Sequence, residues 1–243
     1  MASQDEQAMP PASRTLRYAV IGDTHIDPDE TAESEALRRV FGWLEELDPA
    51  PDFVVHVGDI TECGFEEHFA AYESLIPAWL RERLYHLPGN HETRWDEHAN
   101  RKFHDRFPGA PFSFDAGGVH FVGLDPTTHL QELGLFGEAQ LRWLAEDLER
   151  VGPESPTVLF FHFPVGDRFY FVTDQDALFD VIAPYNVVAI HAGHIHREHV
   201  LKVNGATQTT GCSQKTGPTC HLVDRVDDEL VVSSIDLSGD EAA

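Results

Sequence analysis

Five short polar segments hold most of the side chains in this sequence that could do chemistry. Their aspartate, histidine and asparagine residues offer the oxygen and nitrogen donors that bind transition-metal ions. Each segment follows a short apolar run that predicts a β-strand, as residues 18–21 do before the first segment. The segments are Asp23-Thr24-His25, Gly58-Asp59, Gly89-Asn90-His91-Glu92, His162, and Gly193-His194-Ile195-His196.

The placement of these segments predicts that they meet at one site. In an open α/β sheet, the loops at the carboxyl ends of the strands converge on one crevice. Asp23 and His25 are two residues apart, and His194 and His196 repeat this spacing. In an extended segment, side chains at this spacing point the same way, so one ion can take both Asp23 and His25.

The donor types indicate which chemistry such a site would perform. Nitrogen and oxygen donors without a thiolate suit manganese, iron, zinc or cobalt rather than calcium. Two such ions about 3.5–4 Å apart can activate a bridging hydroxide and hold a phosphoryl group. Phosphate-ester hydrolysis needs both a nucleophile near neutral pH and neutralised phosphoryl oxygens. The segments therefore predict a dinuclear metal-dependent phosphohydrolase.

The length and composition of the chain favour one large domain. Of 243 residues, 42% are hydrophobic, which is enough for one sizeable core. We expect this domain to span residues 15–238. Residues 1–14 are polar and contain proline, which predicts a disordered tail, and residues 239–243 predict a second tail.

Charge and cysteine content narrow the possible partners and the compartment. The formal net charge is −25, from 42 acidic and 17 basic residues, and it disfavours a long nucleic acid as partner. No run approaches the roughly 20 apolar residues of a membrane span. The three cysteines include no CxxC pair, so they predict no disulfide framework and a cytoplasmic protein.

Apolar periodicity predicts an α/β fold. Helices are predicted at residues 32–47, 66–79, 95–107, 137–150 and 174–182. Strands are predicted at residues 16–21, 52–57, 84–87, 112–114, 119–124, 158–161 and 187–192, followed by a β-rich region at 198–237. Two sheets packed face to face with helices outside would account for this order.

The ordered motifs D-x-H, G-D, G-N-H-E, H and G-H-x-H closely resemble those of the calcineurin-like metallophosphoesterases. The resemblance spans residues 23–196 and implies a four-layer αββα sandwich. It also implies two metal ions bridged by Asp59, and a role for His91 in contacting the phosphate and protonating the leaving group. The implied ligands are Asp23, His25, Asp59 and His196 for one ion, and Asp59, Asn90, His162 and His194 for the other.

The residues after Asp59 separate this chain from two branches of that family. Ser/Thr protein phosphatases carry an Asp-Arg pair where this chain has Glu62-Cys63. Purple acid phosphatases carry a tyrosine ligand at the position of Glu62. Residues 58–64 and 162–166 are more similar to bacterial cyclic-nucleotide and glycerophosphodiester phosphodiesterases. This implies a small phosphodiester substrate, with Asn90, His91 and Arg94 as its binding residues.

The sequence leaves several alternatives open. The protein could instead be a broad-specificity phosphomonoesterase. It could also be a non-catalytic scaffold of the same fold, although such scaffolds typically lack several metal ligands. Arg94 could hold a substrate phosphate or be a solvated arginine at a helix start, and Trp95 could line the substrate pocket or simply pack.

Overall fold

The computed structural model describes residues 14–95, 99–107, 109 and 111–239, which form two β-sheets with helices against them. The predicted tails, 1–14 and 239–243, lie outside the described residues except for Arg14 and Gly239. Arg14 is already part of the first strand, where it pairs with Val226, so this strand begins earlier than predicted.

The first sheet has five strands, β1 (Arg14–Ile21), β2 (Phe53–His56), β3 (Leu84–His86), β10 (Thr219–Val226) and β11 (Glu229–Asp236). Their spatial order is β11-β10-β1-β2-β3. β1, β2 and β3 run parallel, whereas β10 and β11 are antiparallel additions at one side. The β-rich end of the chain therefore returns to the first strand.

The second sheet has six strands, β4 (Phe112–Ala116), β5 (Val119–Gly123), β6 (Thr157–Phe160), β7 (Val187–His191), β8 (His199–Val203) and β9 (Ala206–Thr210). Their spatial order is β4-β5-β6-β7-β9-β8. The four central strands run parallel, and β4 and β8 are antiparallel edge strands. Hairpins join β4 to β5 through Gly117-Gly118 and β8 to β9 through Asn204-Gly205.

Within the described residues, five α-helices connect these strands, α1 (Ala32–Glu46), α2 (Glu66–Leu75), α3 (Ala99–Arg106), α4 (Gly137–Val151) and α5 (Gln175–Ile182). The prediction that α2 extends to residue 79 was wrong. Ile76 already has an extended ψ of 114°, because Pro77 disfavours the helical conformation in the residue before it. Of the helix predicted at 95–107, Trp95 lies in a bend and residues 96–98 lie outside the described part.

Strand β1 shows how the layers are built. Successive side chains of a strand point to opposite faces of its sheet. Tyr18 and Val20 pack between the two sheets, and the Tyr18 ring centroid lies 5.3 Å from that of Phe121 in β5. Ala19 and Ile21 pack on the other face, against apolar residues of α1 and α2. The second sheet has an equivalent outer core with α4 and α5. The predicted αββα arrangement is confirmed.

The described helices give no candidate membrane span. α1 and α4 have 15 residues each, and no helix within the described residues is both long and apolar enough to cross a bilayer. Both helices instead present one apolar face to a sheet: Leu37, Val40 and Leu44 are buried in α1, and Leu141, Leu144 and Leu148 in α4.

We expect Phe121→Ala to lower the free energy of unfolding by about 3–5 kcal/mol, because its ring is fully buried between the sheets. Val200 lies on edge strand β8 and is 63% exposed, so Val200→Ala should change stability by less than about 0.5 kcal/mol. Urea unfolding followed by circular dichroism measures both variants. Similar small effects for the two would contradict the inter-sheet core.

Candidate metal centre

The five polar segments lie together at one edge of the sandwich. Three of them follow the parallel strands β1, β2 and β3 of the first sheet, and two follow β6 and β7 of the second. Backbone hydrogen bonds tie neighbouring segments together, from Asp23 N to Gly58 O (2.9 Å) and from Gly193 N to His162 O (2.9 Å). The predicted convergence of the segments follows from this parallel arrangement within each sheet.

The backbone of these segments is not extended, which corrects the geometry expected from the two-residue spacing. Asp23 and His25 have φ values of 49° and 46°, and Asp59, His194 and His196 are also left-handed. Non-glycine residues adopt this region only when surrounding structure imposes it, and such strain concentrates at functional sites. The Asp23/His25 and His194/His196 pairs therefore reach the centre from tight turns rather than from straight strand ends.

One group of possible ligand atoms comes from Asp23, His25, Asp59 and His196, and these atoms lie within 4.8 Å of one another. The Nε2 atoms of His25 and His196 are 3.0 Å apart. Asp59 Oδ2 lies 3.6 Å from His25 Nε2, and Asp23 Oδ1 lies 3.4 Å from His196 Nε2. Two carboxylates and two imidazoles thus surround one small space.

A second group shares Asp59 with the first. His162 and His194 complete this group, again within 4.8 Å of one another. His162 Nε2 lies 3.3 Å from Asp59 Oδ2. Asn90 Oδ1 joins them, at 3.1 Å from His162 Nε2 and 3.0 Å from His194 Nδ1. All seven residues predicted as metal ligands are therefore brought together, in two groups with Asp59 between them.

The donor atoms of these groups fit positive ions. His162 Nδ1 lies 2.9 Å from Val57 O, so this nitrogen carries the proton and donates to the carbonyl. In the neutral ring, Nε2 then presents a lone pair to the oxygens of Asp59 and Asn90. Lone pairs that face each other repel unless a proton or a metal ion lies between them. A transition-metal ion with nitrogen and oxygen ligands would remove this repulsion.

The pKa values of the histidines reflect their burial and the charge of Asp59. Burial lowers the pKa of His25 to about 2 and that of His194 to about 3, so both rings are neutral at pH 7 and in the form that binds metals. Burial also acts to lower the pKa of His162, but the adjacent Asp59 carboxylate overcomes this effect and raises it to about 9, so without a metal ion a second proton on Nε2 takes the place between the ring and Asp59. Burial favours a protonated Asp59, yet His162 and the other imidazoles hold its pKa well below the usual value.

The His91 imidazole is fixed beside the shared carboxylate. Its backbone N–H donates to Asp59 Oδ1 (2.9 Å), and its Nδ1–H donates to Glu62 O (2.6 Å). This contact leaves Nε2 as the ring nitrogen that faces the centre, 4.0 Å from Asp59 Oδ2. The buried Glu92 side chain supports the same turn by accepting hydrogen bonds from Thr61 N and Gly89 N, each at 2.9 Å.

Two further residues, Glu62 and Lys215, contact the site, although the sequence did not single them out as site residues. Glu62 Oε2 lies 3.1 Å from His25 Nδ1, and Lys215 Nζ donates to the same oxygen at 2.9 Å. Glu62 lies three positions after Asp59, a spacing that hints at proximity. Lys215 lies in the turn Gln214–Thr216, and no motif in the sequence pointed to it.

Arg94 has other partners in this structure. Its Nη1 donates to Glu132 Oε1 (2.7 Å), and its guanidinium carbon lies 4.4 Å from the Trp95 ring centroid. The expectation that Arg94 binds a substrate phosphate stays a prediction.

A model of the family described as calcineurin-like phosphoesterase matches residues 16–198. This chain belongs to that family. The match contains all five polar segments and confirms the resemblance drawn from their order. It also shows that the protein is a metal-binding phosphoesterase.

Relatives and solved structures agree with this membership. A protein of Arcobacter nitrofigilis named as a probable glycerophosphodiester phosphodiesterase is 27% identical over 73% of this chain and 70% of its own length. A cAMP/cGMP dual specificity phosphodiesterase of Mycobacterium tuberculosis is 30% identical over 91% of this chain and 79% of its own. The fold is similar to that of a purple acid phosphatase from yellow lupin seeds, with a TM-score of 0.70, 14% identity, and coverage of 94% of this chain and 52% of that one.

The Asp23 and Asp59 carboxylates occupy space that is free only because Gly193 and Gly89 have no side chain. A Cβ atom on Gly193 would lie 2.7 Å from Asp23 Oδ2, and one on Gly89 would overlap the Asp59 carboxylate. We expect Gly89→Ala and Gly193→Ala to lose bound metal, because each would displace a carboxylate. Metal analysis of the purified variants measures this loss.

Gly42→Ala is the matched control, because a Cβ atom there meets nothing within 4 Å. Gly42 lies in α1, so this change should leave metal content unaltered and raise stability by roughly 0.5–1 kcal/mol. Full metal content in Gly89→Ala would contradict the close approach of this backbone to Asp59.

Proposed function

We propose that this protein is a dinuclear metal-dependent phosphodiesterase that hydrolyses small phosphodiesters. The candidate substrates are a cyclic nucleotide, a glycerophosphodiester or a nucleotide derivative. The observation that carries the proposal is the pair of ligand groups that share Asp59. The names of the relatives from Arcobacter nitrofigilis and Mycobacterium tuberculosis support a diester rather than a monoester substrate.

The proposed ligands divide into two sets. One ion would be held by Asp23, His25, Asp59 and His196, and the other by Asp59, Asn90, His162 and His194. Neutral imidazoles, carboxylates and one amide suit manganese, iron, zinc or cobalt. When bound, such a pair of ions supplies a strongly nucleophilic oxygen near neutral pH and neutralises charge on the phosphoryl group.

His91 is the proposed general acid. Its Nδ1–H is held by Glu62 O, so Nε2 is the nitrogen that can give a proton to the departing oxygen. The bond from its backbone N–H to Asp59 Oδ1 positions the ring relative to the shared carboxylate. Asn90 has the complementary task, because its side chain lies between His162 and His194 and can help to hold the phosphoryl oxygens.

The metal assignment is tested by Asp59→Asn. We expect the wild type to contain close to two transition-metal ions per chain, and the variant to lose both the metal and the hydrolysis of diesters. Asp180→Asn removes the same charge from an exposed position on α5 and should change neither property. Activity that survives in Asp59→Asn would refute the shared role of this carboxylate.

The general-acid assignment predicts a dependence on the leaving group. p-Nitrophenolate departs without protonation, whereas an alkoxide needs a proton. We therefore expect His91→Ala to reduce kcat by about 10²–10⁴-fold for an alkyl diester and much less for bis(p-nitrophenyl) phosphate. Metal content must stay at the wild-type level for this comparison. An equal reduction with both substrates would assign His91 to binding rather than to proton transfer.

The preference for diesters is tested directly by kcat/KM with manganese-supplemented enzyme. We expect bis(p-nitrophenyl) phosphate to be hydrolysed faster than p-nitrophenyl phosphate. The two compounds share a leaving group, so the comparison isolates the second ester arm. A clear preference for the monoester would favour the phosphomonoesterase alternative.

A further inference from the structure

A half-exposed indole lies directly beside His91. Trp95 is 51% exposed, and its ring centroid lies 6.4 Å from that of His91. Its Nε1–H donates to Glu62 O (3.2 Å), the same carbonyl that accepts the Nδ1–H of His91. Because one backbone oxygen holds both rings, the indole has a defined position relative to the proposed general acid.

The indole is also held on one of its faces. The Arg94 guanidinium carbon lies 4.4 Å from the Trp95 centroid, and Arg94 is itself fixed by the bond to Glu132. The segment is joined to the following loop by a hydrogen bond from Leu130 N to Thr93 O (3.1 Å). These contacts keep a large aromatic surface partly open to solvent, although burying it would be favourable. An anchored and exposed aromatic surface beside a reaction centre is suited to stacking with a ligand.

Two cations lie on the same flank of the site, each paired with a carboxylate, Lys215 with Glu62 and Arg94 with Glu132. Lys215 is held on the Glu62 carboxylate, and Arg94 lies against the indole. In a chain with a net charge of −25, one cation against the Trp95 ring and a second on the Glu62 side chain favour a polar, electron-rich partner over a hydrocarbon.

We propose that Trp95 is the stacking platform for a planar heteroaromatic leaving group, the chemistry of a nucleoside, with Lys215 on the polar side of that subsite. This inference rests on the proposed function, because His91 marks the leaving-group side of the centre. Stacking of a base on an aromatic side chain changes affinity by about 5- to 150-fold. Trp95 therefore determines specificity for nucleotide diesters over diesters that contain no ring.

The test compares two diester substrates in wild type, Trp95→Leu and Trp95→Phe. With 3′,5′-cyclic AMP, we expect Trp95→Leu to raise KM about tenfold or more, and Trp95→Phe to restore most of the loss. With glycerophosphoethanolamine, which has no ring, kcat/KM should stay within about twofold in both variants. An unchanged KM for cyclic AMP would overturn the proposal. An equal loss with both substrates would also overturn it, because Trp95 would then act only by supporting His91.

Tyr170→Leu is the matched control. Tyr170 is another exposed aromatic residue, at 80%, and it adjoins Phe171, whose ring centroid lies 4.4 Å from that of His194 in the second ligand group. We expect this change to leave both substrates unaffected. If it raised the KM for cyclic AMP as much as Trp95→Leu does, stacking would not be specific to Trp95.

A binding measurement separates this inference from the proposed activity. Calorimetry should show that AMP binds wild type more tightly than ribose 5-phosphate, and that Trp95→Leu removes the difference. This result requires no hydrolysis. If neither diester were cleaved but the difference in binding held, the proposed activity would fail and the platform would stand. Equal binding of the two ligands to wild type would overturn the platform.

Discussion

The structure depends on one buried carboxylate, that of Asp59, which both groups of ligand atoms share. Its Oδ2 lies near His25 of the first sheet and His162 of the second, and its Oδ1 accepts the backbone N–H of His91. A buried negative charge is costly unless hydrogen bonds and positive charge compensate it. The two sheets must therefore end at the same edge, and Gly89 must lack a side chain, because the carboxylate occupies that space.

The inter-sheet core supplies the rigidity that this arrangement needs. Asp23 and His25 hold left-handed backbone conformations that cost free energy, and hydrogen bonds to Gly58 O and Asp59 O fix them in place. Tyr18, in the strand β1 that leads into this segment, packs against the rings of Phe53 and Phe121. Dense packing behind the site thus holds polar and strained residues in front of it. This separation of a packed core from the polar ligands suits a site that must hold its ligand atoms in position before an ion binds.

Much of the fold could be predicted because buried strands and amphipathic helices leave periodic signals. The strand ends were predictable, and with them the position of every polar segment. The conformation of Asp23 and His25 was not, because left-handed φ values here come from hydrogen bonds to another segment. The predicted end of α2 was wrong by a few residues, because the apolar pattern continued to residue 79 whereas Pro77 ended the helix earlier.

The sequence by itself determined the donor types, their order and their places at strand ends, and these were enough to indicate a metallophosphoesterase. Only the tertiary structure decided what surrounds them. Lys215 reaches Glu62 across 153 positions of the chain, because β10 returns to lie beside β1. Trp95 and His91 share one carbonyl because a turn at the end of β3 brings both to Glu62. Such contacts depend on how distant segments pack against each other. Packing between distant segments leaves no repeating pattern of residue types along the chain, so the sequence alone does not reveal it.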